Sequence, residues 1–92
     1  MNQKYDLGEY IEYLKGKGFR FQEDAIGFIY FGKKYTNSPD FLAQVAIEWT
    51  LKIQKTFEGS FYLSILEAMN EAKVKSKQEA FRFLQNRFSE TQ

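Results

Sequence analysis

The sequence contains no cysteine and no histidine. That excludes disulfides, thiol nucleophiles, imidazole acid/base catalysis and any ordinary zinc or haem site. A chain without cysteine accords with a reducing compartment. There is one proline among 92 residues, and no linker, internal repeat or low-complexity tract. One domain spanning 1–92 is therefore expected. No apolar run approaches the roughly 20 residues that cross a bilayer. The opening MNQKYDLGEY lacks the basic start and apolar stretch of a signal peptide. The expected location is cytoplasmic, with no membrane partner. An excess of charge is missing as well: 13 basic and 12 acidic residues leave a net +1. Duplex-DNA binders usually carry a larger basic excess, so any nucleic-acid contact would use a local patch and be weak and salt-sensitive.

Aromatic residues, in contrast, are abundant. Ten Phe, six Tyr and one Trp make up 18% of the chain. A domain of this size buries only about 60–65% of its unfolded surface and needs a dense core. So many rings exceed that need, and the surplus points to an interface with a partner or a second copy. Tyr10, Tyr13, Tyr30, Tyr35 and Tyr62, with Phe28 and Phe31, are the candidates for such a patch. The alternative is that they cover the edge of the fold with their hydroxyls in water.

The periodicity predicts an all-α fold, a compact bundle of about five short helices. The first runs over 7–14, extending to 16, with Asp6 as N-cap and Tyr10, Ile11 and Leu14 as its apolar stripe. Gly16 and Gly18 end it, because glycine permits a left-handed turn. The second covers 22–35. Glu23 and Asp24 stand where a helix N-terminus favours acids, and Lys33 and Lys34 where its C-terminus favours bases. Ala25, Ile29 and Gly32 share a face there, widened by Ile26 and Phe28. AIGFIYF is also rich in strand-favouring residues, so a hairpin over 19–31 is the alternative. Its two faces would both be apolar, which a small hairpin could not bury.

The third helix starts with Ser38 as N-cap and Pro39 at the first helical position. Leu42, Val45, Ala46, Trp49 and Ile53 form its stripe, and it ends near Thr56. The fourth begins at Glu58 or Ser60, with Phe61, Ile65, Leu66 and Met69 on one face. The fifth follows a basic connector, its start marked by the capping box Ser76 and Glu79. It runs over 77–87, with Ala80, Phe81, Leu84 and Phe88 inward, and residues 89–92 are expected to fray.

The stretch 57–80 carries a recognisable pattern. An aromatic at Phe61 precedes Ile65-Leu66 and the large apolar Met69, then Val74-Lys75-Ser76 and Glu79-Ala80 follow. This resembles the C-terminal domain of the DnaD/DnaB group of Gram-positive and phage replication-initiation proteins. That family carries a Tyr-x-x-x-Ile-Leu-x-x-Trp helix, a Gly-Ile-Lys-Thr-like connector and an acidic-Ala helix start. The resemblance extends over about 19–84, with the first helix as an N-terminal addition. Phe61 stands where the family has Tyr, Met69 where it has Trp, and Lys73 where it has Gly. The resemblance implies a helical fold and an accessory role in replication, with DNA contact through that helix.

The candidate nucleic-acid or partner surface is thus Phe61, Tyr62, Ile65, Met69, Lys73, Lys75 and Lys77. The apolar members could stack on unpaired bases, or they could be core residues of the fourth helix. The lysines form a phosphate-contacting patch, with Lys52 and Lys55 beside it, or they are ordinary solvated side chains diluted by Glu67, Glu71 and Glu79. The carboxylate pairs Glu23/Asp24 and Glu9/Glu12 read as helix-dipole partners. No nucleophile–base pair, phosphate-binding loop or ligand cluster is present in the sequence, so neither an enzyme nor a cofactor is expected. Two functions fit. One is an interaction module that docks to a replication protein or weakly held single-stranded DNA. The other is a homodimeric protein-interaction protein with no nucleic-acid role.

Overall fold

A computed structural model describes residues 6–89, which form five helices. These are α1 (Leu7–Gly16), α2 (Glu23–Thr36), α3 (Asp40–Gln54), α4 (Gly59–Glu71) and α5 (Lys77–Ser89). The segment expected over 22–35 is helical from Glu23 to Thr36, with Gln22 as its extended N-cap, and among the described residues there is no strand. Residues 90–92 of the expected frayed end lie outside the described residues, while Ser89 closes α5.

Local chemistry explains where each helix begins. The Asp6 carboxylate accepts the Glu9 N–H at 2.8 Å, and Glu9 accepts the Asp6 N–H at 3.1 Å, a reciprocal box that satisfies two orphan donors. At α4 the Glu58 carboxylate accepts from the Phe61 N–H at 2.8 Å. The Phe57 ring packs 5.4 Å from Tyr62, the apolar staple that fixes the entry angle of the chain. At α5 the Ser76 hydroxyl accepts the Glu79 N–H at 3.1 Å, and the Glu79 carboxylate reaches the Lys75 N–H at 2.9 Å.

Three helix ends follow one pattern. Gly18, Asn37 and Lys73 all have left-handed backbone, with φ of 104°, 56° and 59°. In each case the next residue's N–H returns to a carbonyl five positions back: Phe19 to Leu14, Ser38 to Lys33 and Val74 to Met69. These are Schellman closures, and at α4 Val74 and Met69, the two positions the motif favours as apolar, are both buried. Lys55, with φ of 70°, closes α3 by a single bond to Leu51.

Ser38 is not the N-cap of α3. Its N–H belongs to the closure of α2 and its hydroxyl lies 2.6 Å from that of Thr36, so Pro39 takes the cap position and Asp40 begins the helix. The helix also stops at Gln54, short of Thr56, because Lys55 turns left-handed.

The central helix α3 packs against each of the other four, and α2 also packs on α4. Burial therefore wraps around α3 from Leu42 through Ile47 to Thr50, beyond the expected stripe. Ile53, expected to face inward, is 41% exposed, in the last turn of α3 just before the left-handed Lys55 closes the helix. On α5, Ala80 and Leu84 are buried, whereas Phe81 and Phe88 are half-buried against Trp49, with ring centroids 6.2 and 6.1 Å away.

Two polar links tie the ends together. Asp40 accepts the Leu7 N–H at 3.0 Å and pairs with Lys33 at 3.2 Å, joining the starts of α1 and α3 to the end of α2. The Asn70 amide donates to the Thr36 carbonyl at 2.7 Å, so the end of α4 caps the end of α2.

Candidate functional site

The expected contact surface on α4 divides once the helix is packed. Tyr62 and Met69 are fully buried and Ile65 is 2% exposed, so they are core residues and cannot touch a macromolecular partner. Their spacing of three to four residues put them on the face of α4 that α2 and α3 cover. Phe61 is half-buried, its ring 5.7 Å from Phe88 of α5. Lys73, Lys75 and Lys77 are exposed. Lys75 and Lys77 open onto a groove, while Lys73 and Lys55 are not among its lining residues.

That groove, of about 1500 Å³, runs between α1 and α3 and ends at the α4–α5 connector. Lys17 reaches it from the end of α1, Lys52 from the last turn of α3, and Lys75 and Lys77 from the connector and the start of α5. Tyr10, Tyr13, Phe19 and Phe41 supply rings. Tyr13 is 45% and Phe19 40% exposed, and the Tyr13 ring is stacked on Tyr10 at 6.2 Å. Two lysines are positioned by rings: Lys17 Nζ lies 5.5 Å from the centre of Tyr13, and Lys52 Nζ 4.9 Å from that of Trp49. The Trp49 Nε1–H is buried without a hydrogen-bond partner.

The carboxylates Asp6, Asp40 and Glu48 also line the groove. Asp6 is engaged in its capping box and Asp40 with Lys33 and the Leu7 N–H. The lining thus carries four lysines against three carboxylates, of which Asp40 is paired with Lys33, a small local excess of positive charge. Tyr10 is buried at the base, where burial first, then the charge of Glu48 and then Tyr13, hold its phenol protonated well above the ordinary range.

The sequence pointed to Lys52, Lys75 and Lys77 as a phosphate patch and to Tyr13 as part of an aromatic partner patch, but not to Lys17 or Phe19. The only local signal was the basic run Lys15-Gly16-Lys17, which reads equally well as a helix end. Their common placement is a product of α1 packing on α3.

Of the candidate aromatic patch, Tyr10 and Tyr62 are buried. Tyr30, Phe31 and Tyr35 of α2 are 44%, 53% and 66% exposed. Among the described residues no group of three or more Asp or Glu side chains could hold a metal ion, and no helix is long and apolar enough to cross a membrane.

These features define an all-α domain with a lysine-rimmed groove on one side and exposed rings on α2. Over residues 1–88 the chain matches a family described as a family of unknown function, DUF6123, and it belongs to that family. No curated protein and no solved structure matches it.

Proposed function

We propose that the protein is a non-enzymatic helical interaction module that takes up single-stranded nucleic acid, weakly and reversibly, in its lysine-rimmed groove. The observation carrying this reading is the convergence of Lys17, Lys52, Lys75 and Lys77 on one opening that also offers the exposed rings of Tyr13 and Phe19. Lysines in a row follow a phosphate backbone, and each base stacked on a ring adds about 1–3 kcal/mol. The near-neutral net charge of +1 accords with a weak, local contact.

The resemblance to DnaD/DnaB C-terminal domains supports a role as a cytoplasmic accessory in DNA replication. Lys73 adds to that support: its φ of 59° is the left-handed backbone that suits the glycine carried there by that family. A replication protein is the natural second partner in such a role.

Fluorescence anisotropy with a labelled single-stranded oligonucleotide tests the reading. Four lysines on four phosphates give a slope of log affinity on log salt of about −2.8, or an affinity loss of about 50-fold between about 50 and 200 mM salt. Lys75→Ala with Lys77→Ala weakens binding and flattens the slope, whereas Lys73→Ala does neither. Flat traces at low salt would sink the nucleic-acid reading.

A further inference from the structure

Asp24, Phe28, Phe31 and Tyr35 follow one another along α2 at spacings of four, three and four residues. That is the rhythm of a helix–helix seam, and it places the four on one face. The face is separate from the groove, to which α2 contributes no lining residue. Phe31 is 53% and Tyr35 66% exposed, their rings stacked at 5.5 Å and 18°, and Phe28 follows at 5.7 Å from Phe31. Gly27 lies exposed beside them, with open space where a Cβ would project, so another helix can approach closely there.

The charges on this helix choose the occupant. Glu23 and Asp24 stand exposed at its start and Lys34 exposed at its end. We infer that the face is covered by the same face of a second copy of this chain, with the two α2 helices antiparallel about a twofold axis between Ile29 and Tyr30.

In that register Phe28 of each copy meets Phe31 of the other, and Asp24 meets Tyr35. Every contact is thus made twice, as an isologous interface requires. Lys34 of each copy lies against the acidic start of the other α2, and the Tyr35 hydroxyl can donate to the Asp24 carboxylate. A parallel pairing would set Asp24 against Asp24 and Lys34 against Lys34, so charge selects the antiparallel arrangement. Three partly exposed rings per copy form a small interface, at the low end below about 1,200 Å² where association is reversible.

Sedimentation velocity of the full chain, from micromolar to millimolar concentration, tests the inference. The expected result is a monomer that passes to a dimer as concentration rises. Phe31→Arg and, independently, Tyr35→Arg each weaken association by at least about tenfold. Both positions are exposed, so far-UV circular dichroism confirms that the helices are kept. Asp24→Lys also weakens the dimer, and adding Lys34→Asp restores it. A chain monomeric throughout overturns the inference, as does a dimer indifferent to Phe31→Arg and Tyr35→Arg. A dimer in which the second charge reversal fails to restore association overturns the antiparallel register. Oligonucleotide binding by Phe31→Arg stays at the wild-type level, because its groove is untouched.

Discussion

The Tyr62 hydroxyl donates a 2.7 Å hydrogen bond to the backbone carbonyl of Ile29, joining α4 to α2 where both residues are fully buried. A phenol in an apolar interior needs such a partner, and here the partner is the backbone of a neighbouring helix. Tyr62→Phe keeps the ring and removes the bond. We expect a loss of about 0.5–1.5 kcal/mol, read as a lower urea midpoint with an unchanged m-value.

The same burial makes the fold sensitive to alkali. Burial raises the phenol pKa of Tyr62 well above the ordinary value of about 10, and Tyr10 is raised likewise, with Glu48 and Tyr13 adding to its burial. Below pH 10 both phenols are protonated in the folded and unfolded chain, and their contribution is complete. As pH rises past about 10 the unfolded chain releases these protons while the folded chain retains them, so stability falls. The limiting slope for two such groups is about 2.7 kcal/mol per pH unit. Urea unfolding at about pH 9, 10 and 11 checks this, and Tyr62→Phe should roughly halve the slope.

Two glycines of α2 respond to alanine with opposite sign. A Cβ on Gly32 would lie 2.9 Å from Tyr62 Cε2 and 3.4 Å from Leu63 Cδ1, in an interior with no room to yield. Gly32→Ala should destabilise by about 1–2 kcal/mol, since overpacking outweighs the gain of about 1 kcal/mol in helix propensity. A Cβ on Gly27 meets nothing within 4 Å. Gly27→Ala should stabilise by about 0.5–1 kcal/mol. Thermal unfolding of both variants at low protein concentration, where the chain is monomeric, reads the two signs.

Lys55 and Lys73 close α3 and α4 in left-handed backbone that costs an L-residue about 1–2 kcal/mol. Lys55→Gly and Lys73→Gly should each raise stability, by about 1 kcal/mol once glycine's greater unfolded-state entropy is subtracted. Because the two sites are on different helices, the double variant should be near additive in urea unfolding. Lys73→Gly should also leave oligonucleotide binding unchanged, since Lys73 lies off the groove.

Much of the fold was legible in the chain because its signals are local. Asp6 with Glu9, Ser76 with Glu79 and Glu58 before Phe61 each announce a helix start through side chains that reach only three or four residues. The segment 22–35 was legible for a similar reason, with acids at its start and lysines at its end. Ser38 misled because its hydroxyl has a competing partner in Thr36, and Ile53 because the periodicity of a helix cannot tell which of its turns stay exposed.

The candidate site was legible only in part. Apolar spacing marked Tyr62, Ile65 and Met69 as a face, but a face becomes core or surface only when other helices cover it or leave it bare. The sequence by itself determined five helices and the helix starts capped by Asp6, Glu58 and Ser76, since each depends on residues within a turn or two of one another. Only the tertiary structure decided that Lys17, far away in the chain, would share an opening with Lys75 and Lys77, and that Phe31 and Tyr35 would stay outside. Those outcomes depend on which faces α3, at the centre, had room to bury, and that is a property of all five helices packed together.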